Sequence, residues 1–252
     1  MLEQLLKEID EKKGLVDKAR PLPEIVLDQL NEYLDIEYTY TSNAIEGNTL
    51  TRQETMLVLA KGQTIGGKSL KDHLEATNHK SSINYIKEIM DKVEPITIND
   101  INKLHAIILK GIDDRYAGKY RDVEVLIGGS QREFSKPADL EKDMLSFSKW
   151  LVEMQEDSQV HPVLFAAKAH YKLVDIHPYI DGNGRTARLL MNLILLKYGY
   201  FITIIDSEMD NRQRYYQALA TADQGHMNDF EEFIAAAVSQ TADIYLKFIK
   251  NG

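Results

Sequence analysis

His177–Arg188 reads HPYIDGNGRTAR and runs directly into LLMNLILLKYG, residues 189–199. The second half is strong helix-forming text that stops at Gly199, so Gly182-Asn183-Gly184 falls where a helix begins. Two glycines let the backbone come close to a bulky anion. The unpaired amides and positive dipole end of a helix start make such a point an anion site. Arg185 and Arg188 are three apart and leave neighbouring positions of the first turn. Guanidinium forks match pairs of phosphate oxygens. Asn183 either orients a further oxygen or caps the helix. Asp181, a lone carboxylate ahead of the glycines, is the kind of ligand that Mg²⁺ takes alongside substrate phosphates. His177 has a side chain suited to removing a proton from a hydroxyl near neutral pH. The string is not a GxxxxGK[ST] phosphate loop.

The stretch resembles the signature of the Fic family, HPFx[D/E]GNGRxxR, with Tyr179 in place of the family's Phe. The resemblance extends from about Glu37 to the last helix, including HPVLFAAKAHYKLVDIHP before the signature. It implies a mainly α fold, a Fic-type helical bundle with a short β-hairpin flap. It also implies transfer of AMP from ATP to a Ser, Thr or Tyr hydroxyl of a target protein. Carried over position by position, His177 is the base and Asp181 holds Mg²⁺ between the α- and β-phosphates. Gly182, Asn183 and Gly184 cradle the phosphates together with the flanking Thr186 and Ala187, Arg185 takes the β-phosphate, and Arg188 takes the γ-phosphate.

Upstream, Ser42–Gly47 reads SNAIEG and matches the family's inhibitory pattern [S/T]xxxE[G/N]. In relatives of this arrangement the Glu pairs with the second signature arginine, here Glu46 with Arg188, and Ser42 begins the motif. An arginine held by a carboxylate cannot grip a γ-phosphate. The alternation and β-branching of Val123–Ile127, followed by Gly128-Gly129, suit a hairpin. The resemblance makes that hairpin the flap, with the target protein along its edge and Val125, Leu126, Ile127 and Gly128 bordering the nucleotide. Tyr215, Tyr216 and Asp223 fall where relatives contact adenine and ribose; relatives often carry Asn at the last. Relatives dimerise through exposed helices, which leaves a homodimer as an open expectation. Two alternatives stand beside AMP transfer: a relative that removes AMP or uses another nucleotide donor, and a nucleotide-sensing module with little turnover.

The remaining text is helical. Helices are expected over 23–40, 51–61, 72–93, 138–154, 162–175 and 230–249, with Thr97 and Asp100 forming a cap that opens a helix to Leu109. A boundary near residue 95 separates an N-terminal helical region, 1–95, from a catalytic domain, 96–252. The net charge of −9 argues against a nucleic-acid partner, since such domains carry a basic face. The absence of cysteine excludes disulfides and thiolate metal sites. The opening MLEQLLKEIDEKKG lacks a signal-peptide core and the longest apolar run is too short for a bilayer, so a cytoplasmic protein is expected.

Overall fold

A computed structural model describes residues 1–125 and 134–251. Its helices are α1 (Leu2–Lys18), α2 (Glu24–Ile45), α3 (Arg52–Lys61), α4 (Leu70–Ile89), α5 (Ile98–Leu109), α6 (Leu140–Glu156), α7 (Pro162–Ile176), α8 (Asn183–Lys197), α9 (Met209–Asp223) and α10 (Met227–Asn251). Three of these starts are written locally. Thr51 with Glu54, Ser69 with Asp72 and Thr97 with Asp100 each close a capping box, in which side chain and backbone satisfy one another's orphan groups.

The bundle is organised around α8. Every residue from Arg185 to Leu195 is buried, so this helix has no solvent face and must be wrapped on all sides. α7, α5, α4 and α2 pack around it, and α10 backs α7 while pairing with α1. One core joins Leu6, Ile9, Tyr38 and Ile45 from the first two helices to Leu190, Leu193 and Ile194 of α8. No break in the core falls near residue 95. A satellite cluster of Leu50, Val58 and Ala76 seats α3.

Asn192 interrupts the apolar run of α8 and has a defined partner. Its Nδ2 donates to the Thr203 carbonyl (3.0 Å) and its Oδ1 accepts the Thr203 amide (2.6 Å). Both residues are fully buried. The amide side chain thereby does for the irregular 200–206 segment what a neighbouring strand would do.

The expected β-hairpin flap is corrected: among the described residues no strand occurs, and the fold is helical throughout. Val123–Val125 carries no regular structure, and Val123 is exposed. β-Branched alternation favours extended backbone, but a strand needs a partner ladder or an apolar face to cover, and a lone hairpin is marginal without one. The rest of the expected hairpin, 126–129, lies outside the described residues. No helix among the described residues is long and apolar enough to cross a membrane.

The Asn192 pairing is testable. Asn192→Leu leaves the buried Thr203 N–H and C=O without partners and is expected to lower the unfolding free energy by about 2–4 kcal/mol in urea titrations. A loss below about 0.5 kcal/mol would show that the 200–206 segment needs no such tether.

Candidate active site

The signature loop is built by its own backbone. α7 ends when His177 adopts φ 53 and ψ 57, a left-handed conformation, while its amide still bonds the Leu173 carbonyl at 3.0 Å. Pro178 follows and cannot continue the helix. Tyr179 then turns into the core, where it is fully buried and stacks on the His105 ring at 3.7 Å between centroids. Its hydroxyl donates to Asn102 Oδ1 (2.7 Å), which satisfies the one polar atom by which it differs from phenylalanine. The Asn183 side chain is committed to the same loop: Oδ1 accepts the Tyr179 amide and Nδ2 donates to the Tyr179 carbonyl. Asn183 thus holds the loop, and its side chain is spent on that bond pair. Gly182, at φ 76, begins α8, and a Cβ there would lie 3.2 Å from Ile108 Cγ2.

His105 was not singled out by the sequence. Its Nδ1 accepts the Gly118 amide (2.9 Å), so Nε2 carries the proton and donates to the Asp181 carbonyl (2.9 Å). Burial pushes its pKa down to about 4, so the ring is neutral and acts as a fixed strut.

The two signature arginines, Arg185 and Arg188, lie in the interior, each about 1% exposed. Arg188 Nη2 donates to Glu46 Oε1 (2.8 Å) and to the Ser42 carbonyl (2.8 Å), and Nε donates to Ser42 Oγ (3.0 Å). Its Nη1 reaches the Tyr215 hydroxyl at 3.4 Å, which in turn bonds His170 Nε2 at 3.0 Å. Burial opposes the charge of Arg188, but Glu46 and the Tyr215 hydroxyl outweigh it and hold the pKa above the ordinary arginine value. Burial, aided by the nearby Arg188 charge, drives His170 down to about 3.

Arg185 is held by a residue that the sequence reading missed. Its Nη1 donates to Glu75 Oε1 (2.9 Å), and its Nη2 reaches Asp181 Oδ1 (3.3 Å). Glu75 lies on α4 among the buried positions Ala76, His79, Ile83 and Ile86. An acid set within an apolar helical stripe was the available signal. Asn48 Nδ2 donates to Glu75 Oε2 at 2.8 Å, and Lys71 Nζ lies 3.7 Å from both Glu75 and Asp181.

The Asp181 side chain is 49% exposed. Burial raises its pKa, but Arg185, the Gly182 amide and Lys71 together bring it below the usual carboxylate value. The Glu46 carboxylate lies over the first turn of α8: a Cβ on Gly184 would fall 2.3 Å from Glu46 Oε1. Gly184 therefore leaves room for an anion at the helix start, and Glu46 is the anion seated there.

The remaining candidates divide. The Thr186 hydroxyl is spent on the Gly182 carbonyl (2.8 Å) and Ala187 is core. Tyr215 is buried against Arg188, whereas Tyr216 is 44% exposed and donates to the Ile45 carbonyl. Asp223 accepts from Tyr171. Val125 is half-buried, and 126–128 lie outside the described residues.

Comparison with known proteins bears on this geometry. The Fic/DOC family model matches residues 95–195. Protein adenylyltransferase Fic of Nematostella vectensis is 37% identical over 247 residues, covering 97% of this chain and 56% of its own length. That of Drosophila persimilis is 40% identical over 210 residues, covering 83% and 40%. The chain thus spans about half the length of the curated relatives it matches. A Fic domain containing signaling protein from Bacteroides thetaiotaomicron superposes with a TM-score of 0.89 at 30% identity, covering 98% of this chain and 97% of that one. Fic-1 of C. elegans gives 0.88 at 29%, covering 99% and 73%. With its signature loop, its buried arginine pair and a relative matched over nearly the full length of both chains, the chain belongs to the Fic/DOC family.

Proposed function

We propose that the protein is an autoinhibited adenylyltransferase that moves AMP from ATP onto a Ser, Thr or Tyr hydroxyl of a target protein. The observation that carries this reading is the placement of Glu46. A carboxylate sits at the start of α8, paired with a buried arginine, in the space that Gly184 leaves open. A helix start with two buried guanidinium groups binds an anion strongly. Filling it from within blocks it to a triphosphate.

With Glu46 withdrawn, the amides of Gly182–Gly184 receive phosphate oxygens, Arg185 takes the β-phosphate and Arg188 the γ-phosphate. Tyr216, Asp223 and Val125 border the nucleoside. His177 accepts the proton of the incoming hydroxyl as its oxygen attacks the α-phosphorus, and pyrophosphate leaves. Catalysis of this kind is positioning and charge stabilisation. Asp181 fits Mg²⁺, since it is ionised and half exposed beside the start of α8. Among the described residues no cluster of three or more ligating side chains competes with it. When bound, the ion offsets charge on the phosphates. Residues 1–95 act as the regulatory part and 96–252 as the catalytic part of one shared core. The cysteine-free composition suits a reducing compartment such as the cytoplasm.

Glu46→Gly is expected to raise AMP incorporation from labelled ATP into protein by one to several orders of magnitude, roughly as expected when ~2–4 kcal/mol of inhibition is removed. Adding His177→Ala should abolish the gain. Nucleotide binding by Glu46→Gly without any labelled protein would instead favour a sensing module.

Glu75 offers a readout independent of turnover. In the Glu46→Gly background, Glu75→Gln leaves Arg185 without its buried counter-charge and should cost about 3 kcal/mol of stability. ATP with Mg²⁺ should then raise Tm more in the double variant than in its parent, because a phosphate restores an anion to Arg185. Equal nucleotide-induced shifts would rule out contact between Arg185 and the triphosphate.

A further inference from the structure

Arg121 is 3% exposed, and among the described residues no carboxylate forms an ion pair with it. Burial opposes its charge and the nearby Glu124 eases it without a direct ion pair, so the guanidinium is satisfied mainly by hydrogen bonds. Among the described residues its hydrogen-bond partners are all main-chain carbonyls. Nε donates to the His177 carbonyl (2.9 Å), Nη1 to the Val123 carbonyl (2.8 Å) and Nη2 to the Ser135 carbonyl. The backbone amide of Arg121 adds a fourth bond, to the Pro178 carbonyl (2.9 Å). Two consecutive carbonyls of the signature loop therefore converge on one residue.

The consequence falls on His177, the sole described non-glycine residue at positive φ. A left-handed residue with a Cβ costs about 1–2 kcal/mol and persists only where its surroundings impose it. Release of its carbonyl allows the chain to relax out of this conformation, which redirects the Cα–Cβ bond and carries the imidazole with it. The ring has a second support, the Phe134 side chain at 4.2 Å between centroids. Phe134 adjoins Ser135, whose carbonyl Arg121 also holds. One guanidinium thus fixes the main chain that carries the imidazole and the residue next to the ring that packs on it.

We infer that Arg121 is a positioning residue for His177: it clasps the His177, Val123 and Ser135 carbonyls and so sets the direction from which the imidazole meets the incoming hydroxyl. Only a planar fork with several donors spans three carbonyls in this way; a lysine ammonium is a point charge on a flexible stem. The inference rests on His177 acting as the base.

The test uses the full chain carrying Glu46→Gly. Arg121→Lys is expected to lower kcat by about 10²-fold, the scale of a roughly 1 Å misplacement of a reacting group. KM for ATP and binding of a fluorescent ATP analogue should stay within about twofold, since phosphate recognition belongs to α8. In a His177→Ala background, Arg121→Lys should have no further effect, because residues that act as one unit are not additive. Amide hydrogen exchange at His177 and Tyr179 should speed up while α8 stays protected. Arg121→Gln, which removes the buried charge, serves where the lysine variant does not fold.

Unchanged kcat, additive losses with His177→Ala, or nucleotide affinity falling in parallel with kcat would overturn the inference. If Glu46→Gly transfers no AMP, the functional reading fails by itself. The exchange measurement still decides the point about Arg121: unchanged exchange at His177 and Tyr179 refutes the clasp.

Discussion

The structure depends on a charge that its core cannot leave alone. Arg188 sits on a helix with no solvent face, at about 1% exposure. An isolated cation in that position would cost several kcal/mol, and removing one partner of such a pair typically costs 3–5 kcal/mol. The protein must therefore keep an anion at the start of α8. Glu46 at 2.8 Å supplies it, and docking of the C-terminal turn of α2 follows from that need. The contact between Glu46 and Arg188 is held in place by electrostatic necessity. On the proposed reading, it competes with a triphosphate for the same point.

The second arginine extends the same logic to α4. Arg185 takes its counter-charge from Glu75, and Glu75 is tied back to the α2 exit. Asn43 Nδ2 donates to the Glu75 carbonyl (3.3 Å), and Asn48 Nδ2 donates to both Glu75 Oε2 (2.8 Å) and the Asp72 carbonyl (3.1 Å). Glu46 lies between these two asparagines in the chain. The carboxylates facing the two arginines are thus linked through hydrogen bonds from Asn43 and Asn48, on either side of Glu46. This explains why the N-terminal helices share one core with α8 and do not form a separate lobe.

What the sequence made legible follows the range of each interaction. The helix starts at Thr51 and Thr97 and the loop-to-helix turn after Asp181 are set by neighbours within a few residues, and the chain text displays them. Ser69 with Asp72 closes an equally local cap and starts the helix at Leu70, two residues ahead of the start expected at residue 72. Glu46 and Arg188 are 142 positions apart; nothing in either segment points to the other, and only the family pattern joins them. Glu75 was invisible for the same reason, although an acid among the inward positions of α4 was an available clue. The hairpin failed in the opposite way. Val123–Val125 has the local propensity of a strand, but strand formation is settled by partners, and the described partner of the Val123 carbonyl is the Arg121 guanidinium rather than a neighbouring strand.

Gly184 shows why one local feature serves two opposed states. Its backbone is helical, so no special dihedral demands glycine there. The demand is space: a Cβ would stand 2.3 Å from Glu46 Oε1 and 3.1 Å from an Arg188 nitrogen. Any side chain would push the carboxylate away from the arginine, and it would intrude equally on a phosphate seeking the same nitrogen. The vacancy at Gly184 therefore favours neither occupant. Discrimination has to come from the other end of each anion: for Glu46, from the docking of α2 against α4 and α8; for a nucleotide, from whatever else it touches. On the proposed reading, control of the site then lies with the packing of the N-terminal helices, since the Asn183 side chain of the signature loop is committed to the loop's own backbone.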